Sequence, residues 1–134
     1  MSKIYLDSCI VIYFVEKHPV YAGKIETLIS NLAENDTLCL SPLIRLECMV
    51  MPLRTNDSEL KRHYESFFKG QEMLEITGER FDEAAQLRAD FNSLKTPDAL
   101  HLATALHHEC NELWTNDNRL NSVAPSLIKN ILIS

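Results

Sequence analysis

Short apolar runs and amphipathic helical stripes alternate along this chain from one end to the other. Lys3 to Leu6 reads as a strand, and Ser8 as the cap of a helix over Cys9 to Glu16 that breaks at His18-Pro19. Val20, Ile25, Leu28, Ile29 and Leu32 then share one face at helical spacing. Asn35-Asp36 turns the chain into a strand over Thr37 to Leu40. Ser41-Pro42 supplies a cap and a first-turn proline for a helix carrying Leu43, Leu46, Glu47 and Val50, which stops near Pro52. Asn56-Asp57-Ser58 opens a helix bearing Leu60, Tyr64, Phe67 and Phe68, closed at Gly70. Met73 to Ile76 is a third strand, and Thr77-Gly78 leads into a helix packed through Phe81, Ala84, Ala85, Leu87 and Phe91. Thr96-Pro97 starts the next helix, with Ala99, Leu102, Ala103, Leu106 and Cys110 facing inward. Glu112 to Thr115 is a fourth strand, Asn116 to Asn121 a loop or short helix, and Asn130 to Ile133 a terminal strand. Strands alternating with helices predict a three-layer α/β/α sandwich around a mostly parallel sheet of four to five strands.

Composition narrows this picture only a little. The 134 residues suit one domain spanning 1–134, with 46% hydrophobic and 24% charged residues, an ordinary globular balance. No apolar run is long enough to cross a membrane, and Met1-Ser2-Lys3 leads straight into a strand, so no signal peptide is expected. Cys9, Cys39, Cys48 and Cys110 have no metal-binding spacing and read as small buried hydrophobes in a reduced cytoplasm, with a reactive thiol conceivable only at Cys9 beside Asp7. The net charge of −6 weighs against a polyanionic partner. Local sign matters more than the total, however, and cations held by a few of the acids would invert the field there.

Four of those acids carry the chemistry. Asp7 ends the first strand, Asp117 follows the fourth, and Glu47 and Asp98 lie in the early turns of the helices begun by Ser41-Pro42 and Thr96-Pro97. In open parallel sheets, ligands bind beyond the carboxyl ends of the strands. Carboxylates converging there repel one another unless a hard cation holds them, which points to Mg²⁺ or Mn²⁺ and metal-assisted phosphodiester chemistry. Simpler accounts exist for three of them: a helix-dipole charge for Asp98, an Asx turn for Asp117, and an ion pair with Arg45 for Glu47. Ser8 and Thr115 flank two of the acids and are candidates to orient a carboxylate or water. Arg45, Arg54, Lys61, Arg62, Arg88 and Lys95 are candidate phosphate contacts.

The stretches Ile4-Tyr5-Leu6-Asp7-Ser8-Cys9-Ile10, Ile44-Arg45-Leu46-Glu47, Thr96-Pro97-Asp98-Ala99-Leu100-His101-Leu102-Ala103-Thr104-Ala105 and Trp114-Thr115-Asn116-Asp117-Asn118-Arg119-Leu120 occur in this order. Together they resemble the PIN-domain ribonucleases, most closely the VapC-like toxins of type II toxin–antitoxin pairs, over nearly the whole chain. The resemblance implies a metal-dependent endoribonuclease in which Asp7, Glu47, Asp98 and Asp117 hold Mg²⁺ or Mn²⁺ and metal-activated water cleaves RNA to leave a 3′-hydroxyl. It also implies a cytoplasmic homodimer and a cognate VapB-like antitoxin that occludes the site. The surplus of apolar side chains over Ile10 to Phe14 and Leu43 to Met51 marks the expected interaction face. Cys9 departs from the Ser or Asn often found there, and His101 stands at a variable position, so no role is assigned to it. Two rival readings stand beside this one. A phosphotransfer domain of receiver or haloacid-dehalogenase type lacks its expected Asp, because Cys9 occupies one such place and Met73 to Gly78 contains no Asp. A non-catalytic interaction module with vestigial acids is the other.

Overall fold

A computed structural model describes residues 1–131. Five strands form one all-parallel sheet: β1 (Lys3–Leu6), β2 (Thr37–Leu40), β3 (Glu72–Met73), β4 (Glu112–Thr115) and β5 (Ile128–Asn130), in the order β3-β2-β1-β4-β5. Six helices connect and cover them: α1 (Ser8–Val15), α2 (Ala22–Ser30), α3 (Pro42–Arg54), α4 (Ser58–Lys69), α5 (Gly78–Asp90) and α6 (Thr96–His107). The helices pack in two groups, α1 to α4 among themselves and α5 against α6. Burial from both faces explains why the central strands are continuously apolar: Ile4, Tyr5, Leu6, Leu113 and Trp114 are all buried. No helix among the described residues is long and apolar enough to cross a membrane.

The strand order locates the site. From β1 the chain steps outward through β2 to β3, then returns to the other side of β1 for β4 and β5. Parallel sheets open a crevice where the winding reverses, at the carboxyl ends of the two strands involved. Here that place lies between β1 and β4, where Leu6 stands opposite Trp114.

Local chemistry sets the helix starts. Ser41 caps α3 in an extended conformation, its Oγ accepting the Ile44 N–H at 3.4 Å, with Pro42 following. Asp57 caps α4 in the same way through the Leu60 N–H at 3.0 Å. The cap of α1 is Asp7, not Ser8 as expected. The extended backbone of Asp7 still belongs to the strand end, and its carboxylate accepts the Ser8 N–H at 2.7 Å.

Other differences follow from neighbours that periodicity does not reveal. Helix α3 continues through Pro52 to Arg54. Val20 and Leu32 fall outside α2, and Val20 is exposed. On α5 the buried positions are Arg80 and Ala84, while Phe81 is exposed; the Arg80 guanidinium is compensated by Glu83 at 2.6 Å and Glu79 at 3.3 Å. On α6 every residue from Ala99 to Ala105 is buried, and Leu106 is exposed. The third strand is Glu72–Met73, earlier and shorter than Met73 to Ile76, and the last strand lies at Ile128–Asn130. Residues 132 and 133 of the expected terminal strand lie outside the described residues.

Candidate metal centre

Asp7 is held at its backbone and at both carboxylate oxygens. Its N–H donates to the Trp114 carbonyl at 3.0 Å, which continues the β1–β4 ladder one step past Leu6. One carboxylate oxygen accepts the Ser8 N–H, and the other accepts the buried Thr115 hydroxyl at 2.9 Å. Thr115 Oγ1 also accepts the Asp117 N–H at 3.1 Å, so one side chain ties the two strand-end acids together. Both flanking residues therefore orient Asp7, Ser8 through its backbone and Thr115 through its hydroxyl.

Glu47 arrives from the other direction. On α3 it shares a face with Ile44 and Cys48, both buried, and this turns its side chain inward to 27% exposure. Arg45 does not pair with it; that guanidinium lies 3.7 Å from Glu65 and over the Phe68 ring. Donor atoms of Asp7, Glu47 and His101 all lie within 4.8 Å of one another. His101 is buried and hydrogen-bonded through both ring nitrogens, Nε2 to Glu47 Oε1 at 2.7 Å and Nδ1 to the Tyr5 hydroxyl at 2.6 Å.

Asp98 lies one turn before His101 on α6. Burial raises its carboxyl above the ordinary carboxylate value, the charge of Asp7 raises it further and Asp117 adds to this, while Arg119 acts in the opposite sense. Asp117 is held below the ordinary value by Arg119, whose Nη2 lies 2.6 Å from Oδ2 and whose Nε contacts both oxygens at 3.0 Å. Burial, followed by the charge of Asp7, pushes the Cys9 thiol up to about 12, which disfavours the thiolate, and its Sγ–H donates to Asn116 at 3.2 Å.

A family profile of the PIN domain matches residues 4–125. The chain belongs to the PIN-domain family. No curated protein sequence matches it. Among solved structures, it is similar to VapBC2 of Rickettsia felis bound to a DNA fragment from its promoter, with a TM-score of 0.81 and 17% identity over 96% of this chain and 98% of the other. It is similar to VapBC-1 of nontypeable Haemophilus influenzae, with a TM-score of 0.78 and 18% identity over 96% and 98%. It is also similar to the sarcin–ricin loop cleaving toxin VapC20 of Mycobacterium tuberculosis, with a TM-score of 0.76 and 10% identity over 90% and 95%. At these identities the likeness is one of fold, and it sets aside the receiver and haloacid-dehalogenase architectures.

In this PIN domain, then, Asp7 and Glu47 meet at ligand distance together with His101. Asp98 is coupled to Asp7 and Asp117 by charge, and Asp117 is engaged by Arg119. The carboxylate oxygens of Asp7 and Glu47 suit a hard divalent cation, and Asp98 nearby is raised first by burial and then by the charge of Asp7. His101 is the residue that sequence reasoning missed. Its signal was present, since an imidazole inside the wholly apolar or small run Ala99 to Ala105 must find polar partners if that run is buried.

Proposed function

We propose that this PIN domain is a Mg²⁺- or Mn²⁺-dependent endoribonuclease, the toxin of a toxin–antitoxin pair. The observation that carries the reading is the meeting of Asp7, Glu47 and His101 within 4.8 Å, with Asp98 electrically coupled to Asp7, at the point where the sheet winding reverses. Asp7, Glu47, Asp98 and Asp117 would hold the metal. Once bound, a divalent cation supplies Lewis-acid polarisation of a phosphate oxygen and makes water a stronger acid near neutral pH. The protein's own part is positional. Ser8 N–H and Thr115 Oγ1 fix the Asp7 carboxylate on both oxygens, and Thr115 fixes the backbone of Asp117. Lys95 and Arg119, both exposed and both electrostatically coupled to Asp117, offer cationic contacts to RNA phosphates at the rim.

Leu46, Met51 and Leu53 on α3 are more than half exposed, and Val50 is 39% exposed. Such a face on one helix fits a protein partner. We assign it to a VapB-like antitoxin or to the second copy in a homodimer, in keeping with the toxin–antitoxin complexes of similar fold.

The reading is tested with purified chain stripped by chelator and offered structured RNA. Cleavage should be absent in EDTA and return with Mg²⁺ or Mn²⁺, leaving 3′-hydroxyl ends. No cleavage with either ion, alongside tight binding to the product of a neighbouring reading frame, would favour the non-catalytic interaction module.

A further inference from the structure

The contacts of His101 continue into a buried string that the proposed chemistry does not use. Ser41 Oγ lies 2.7 Å from the Tyr5 hydroxyl, that hydroxyl lies 2.6 Å from His101 Nδ1, and His101 Nε2 lies 2.7 Å from Glu47 Oε1. Ser41 and Tyr5 have no exposed surface, and His101 has 2%. The string begins at the cap of α3 and returns to α3 at Glu47, passing through β1 and α6. It thereby links a helix of one group to a helix of the other.

The order of donors along the string follows from its two ends. An ionised carboxylate only accepts, so the nitrogen facing Glu47 carries hydrogen. At the other end, Ser41 Oγ already accepts the Ile44 N–H and still has its own proton to give. If that proton goes to Tyr5, the phenol donates to Nδ1, and His101 is neutral with its hydrogen on Nε2. Every proton then has an acceptor. The reverse order requires Nδ1–H to donate to Tyr5 and Tyr5 to donate to Ser41. Among the hydrogen bonds of the described residues, this leaves the enclosed Ser41 proton with no acceptor, which a buried donor does not tolerate cheaply. Burial keeps the Tyr5 phenol protonated by raising it far above its ordinary value, which suits a donor.

We propose that Ser41, Tyr5 and His101 form a one-way hydrogen-bonded strut in which His101 Nε2–H donates to Glu47, making His101 a positioning residue for that carboxylate and not a metal ligand. The role toward Glu47 rests on the reading of Glu47 as part of the metal centre; the donor order does not. With one oxygen held by the imidazole, the carboxylate keeps its other oxygen for a cation and loses little rotamer freedom on binding it.

Long-range ¹H–¹⁵N correlation spectra of the metal-free chain near neutral pH decide the donor order. The expected result is a neutral His101 ring with hydrogen on Nε2 and a lone pair on Nδ1; hydrogen on Nδ1, alone or on both nitrogens, overturns the strut. Mn²⁺ titration followed by electron paramagnetic resonance decides the role. His101→Ala should weaken Mn²⁺ binding about 10–100-fold. His101→Gln, whose amide can still donate to Glu47, should recover most of that loss, and Tyr5→Phe should show a smaller one. Equal losses in His101→Ala and His101→Gln would make the ring a ligand and overturn the positioning role. Wild-type chain that binds no Mn²⁺ while showing the Nε2–H ring would sink the metal reading and the role toward it, but leave the strut standing. If a variant fails to fold, the wild-type spectrum still decides.

Discussion

Asp7→Asn is expected to cut metal-dependent RNA cleavage by more than about 100-fold, beyond the usual loss when only an outer partner of a ligand is removed. The asparagine oxygen can go on accepting the Ser8 N–H, so the cap of α1 survives. Its amide can donate to Thr115 Oγ1 in place of the present hydrogen bond, in which that hydroxyl donates to Asp7. Shape is kept and charge is lost. The metal-free chain should be no less stable for it, because Asp7 is the largest charge acting to raise Asp98. The sign follows from that shift. A carboxyl raised in the folded state favours folding at low pH, and this contribution is lost as pH rises through its folded-state value. Removing the Asp7 charge returns Asp98 toward its ordinary value, so the loss of stability on going from acid to neutral pH should be smaller in Asp7→Asn. Cleavage rate and melting temperature measured on the same preparation check both halves; full activity would remove Asp7 from the metal centre.

Trp114→Ala is expected to destabilise the fold by about 3–5 kcal/mol, the usual range for an aromatic core side chain truncated to Ala. Trp114 is 1% exposed on β4, its indole N–H donates to Glu112 at 2.9 Å, and Lys129 lies 5.9 Å from the ring centroid. Total stabilities of domains this size are about 5–15 kcal/mol, so the loss is roughly a fifth or more of what holds the chain folded. The melting temperature should fall by roughly 10–20 °C. The site should suffer with it, because the Trp114 carbonyl accepts the Asp7 N–H and the next residue is Thr115. Thermal unfolding by circular dichroism checks this, and a fall of only a degree or two would mean that β4 is not the packed centre described above.

How much of this was legible in the sequence depended on whether the determining physics was local. The start of α3 was readable, because Ser41 and Pro42 act on their own helix. The first, second and fourth strands were readable as apolar runs within turn signals. The face of α5 was misjudged because hydrophobicity alone favoured Phe81, whereas the position turned inward carries Arg80, neutralised by two glutamates on the same helix. A single stripe was expected on α6, yet Ala99 to Ala105 are buried all round, an enclosure that no one-dimensional pattern encodes. The short outer strands β3 and β5 owe their existence to parallel neighbours, and their sequences carry little signal. The acids at the strand ends were visible because strand order and handedness are strongly constrained. Two partnerships were not visible: His101 with Glu47 spans 54 positions, and Arg119 lies only two residues from Asp117 yet wraps back on it through an exposed turn.

The central claim is that Asp7, Glu47, Asp98 and Asp117 gather round one cation. Substoichiometric Mn²⁺ added to ¹⁵N-labelled chain tests it most directly, because a paramagnetic ion broadens the amides nearest to it. The account predicts selective loss of the Asp7, Ser8, Glu47, Asp98 and Asp117 amide signals, reversed by EDTA and absent in Asp7→Asn. Broadening centred on other acidic surfaces, or none at these five positions, would contradict it.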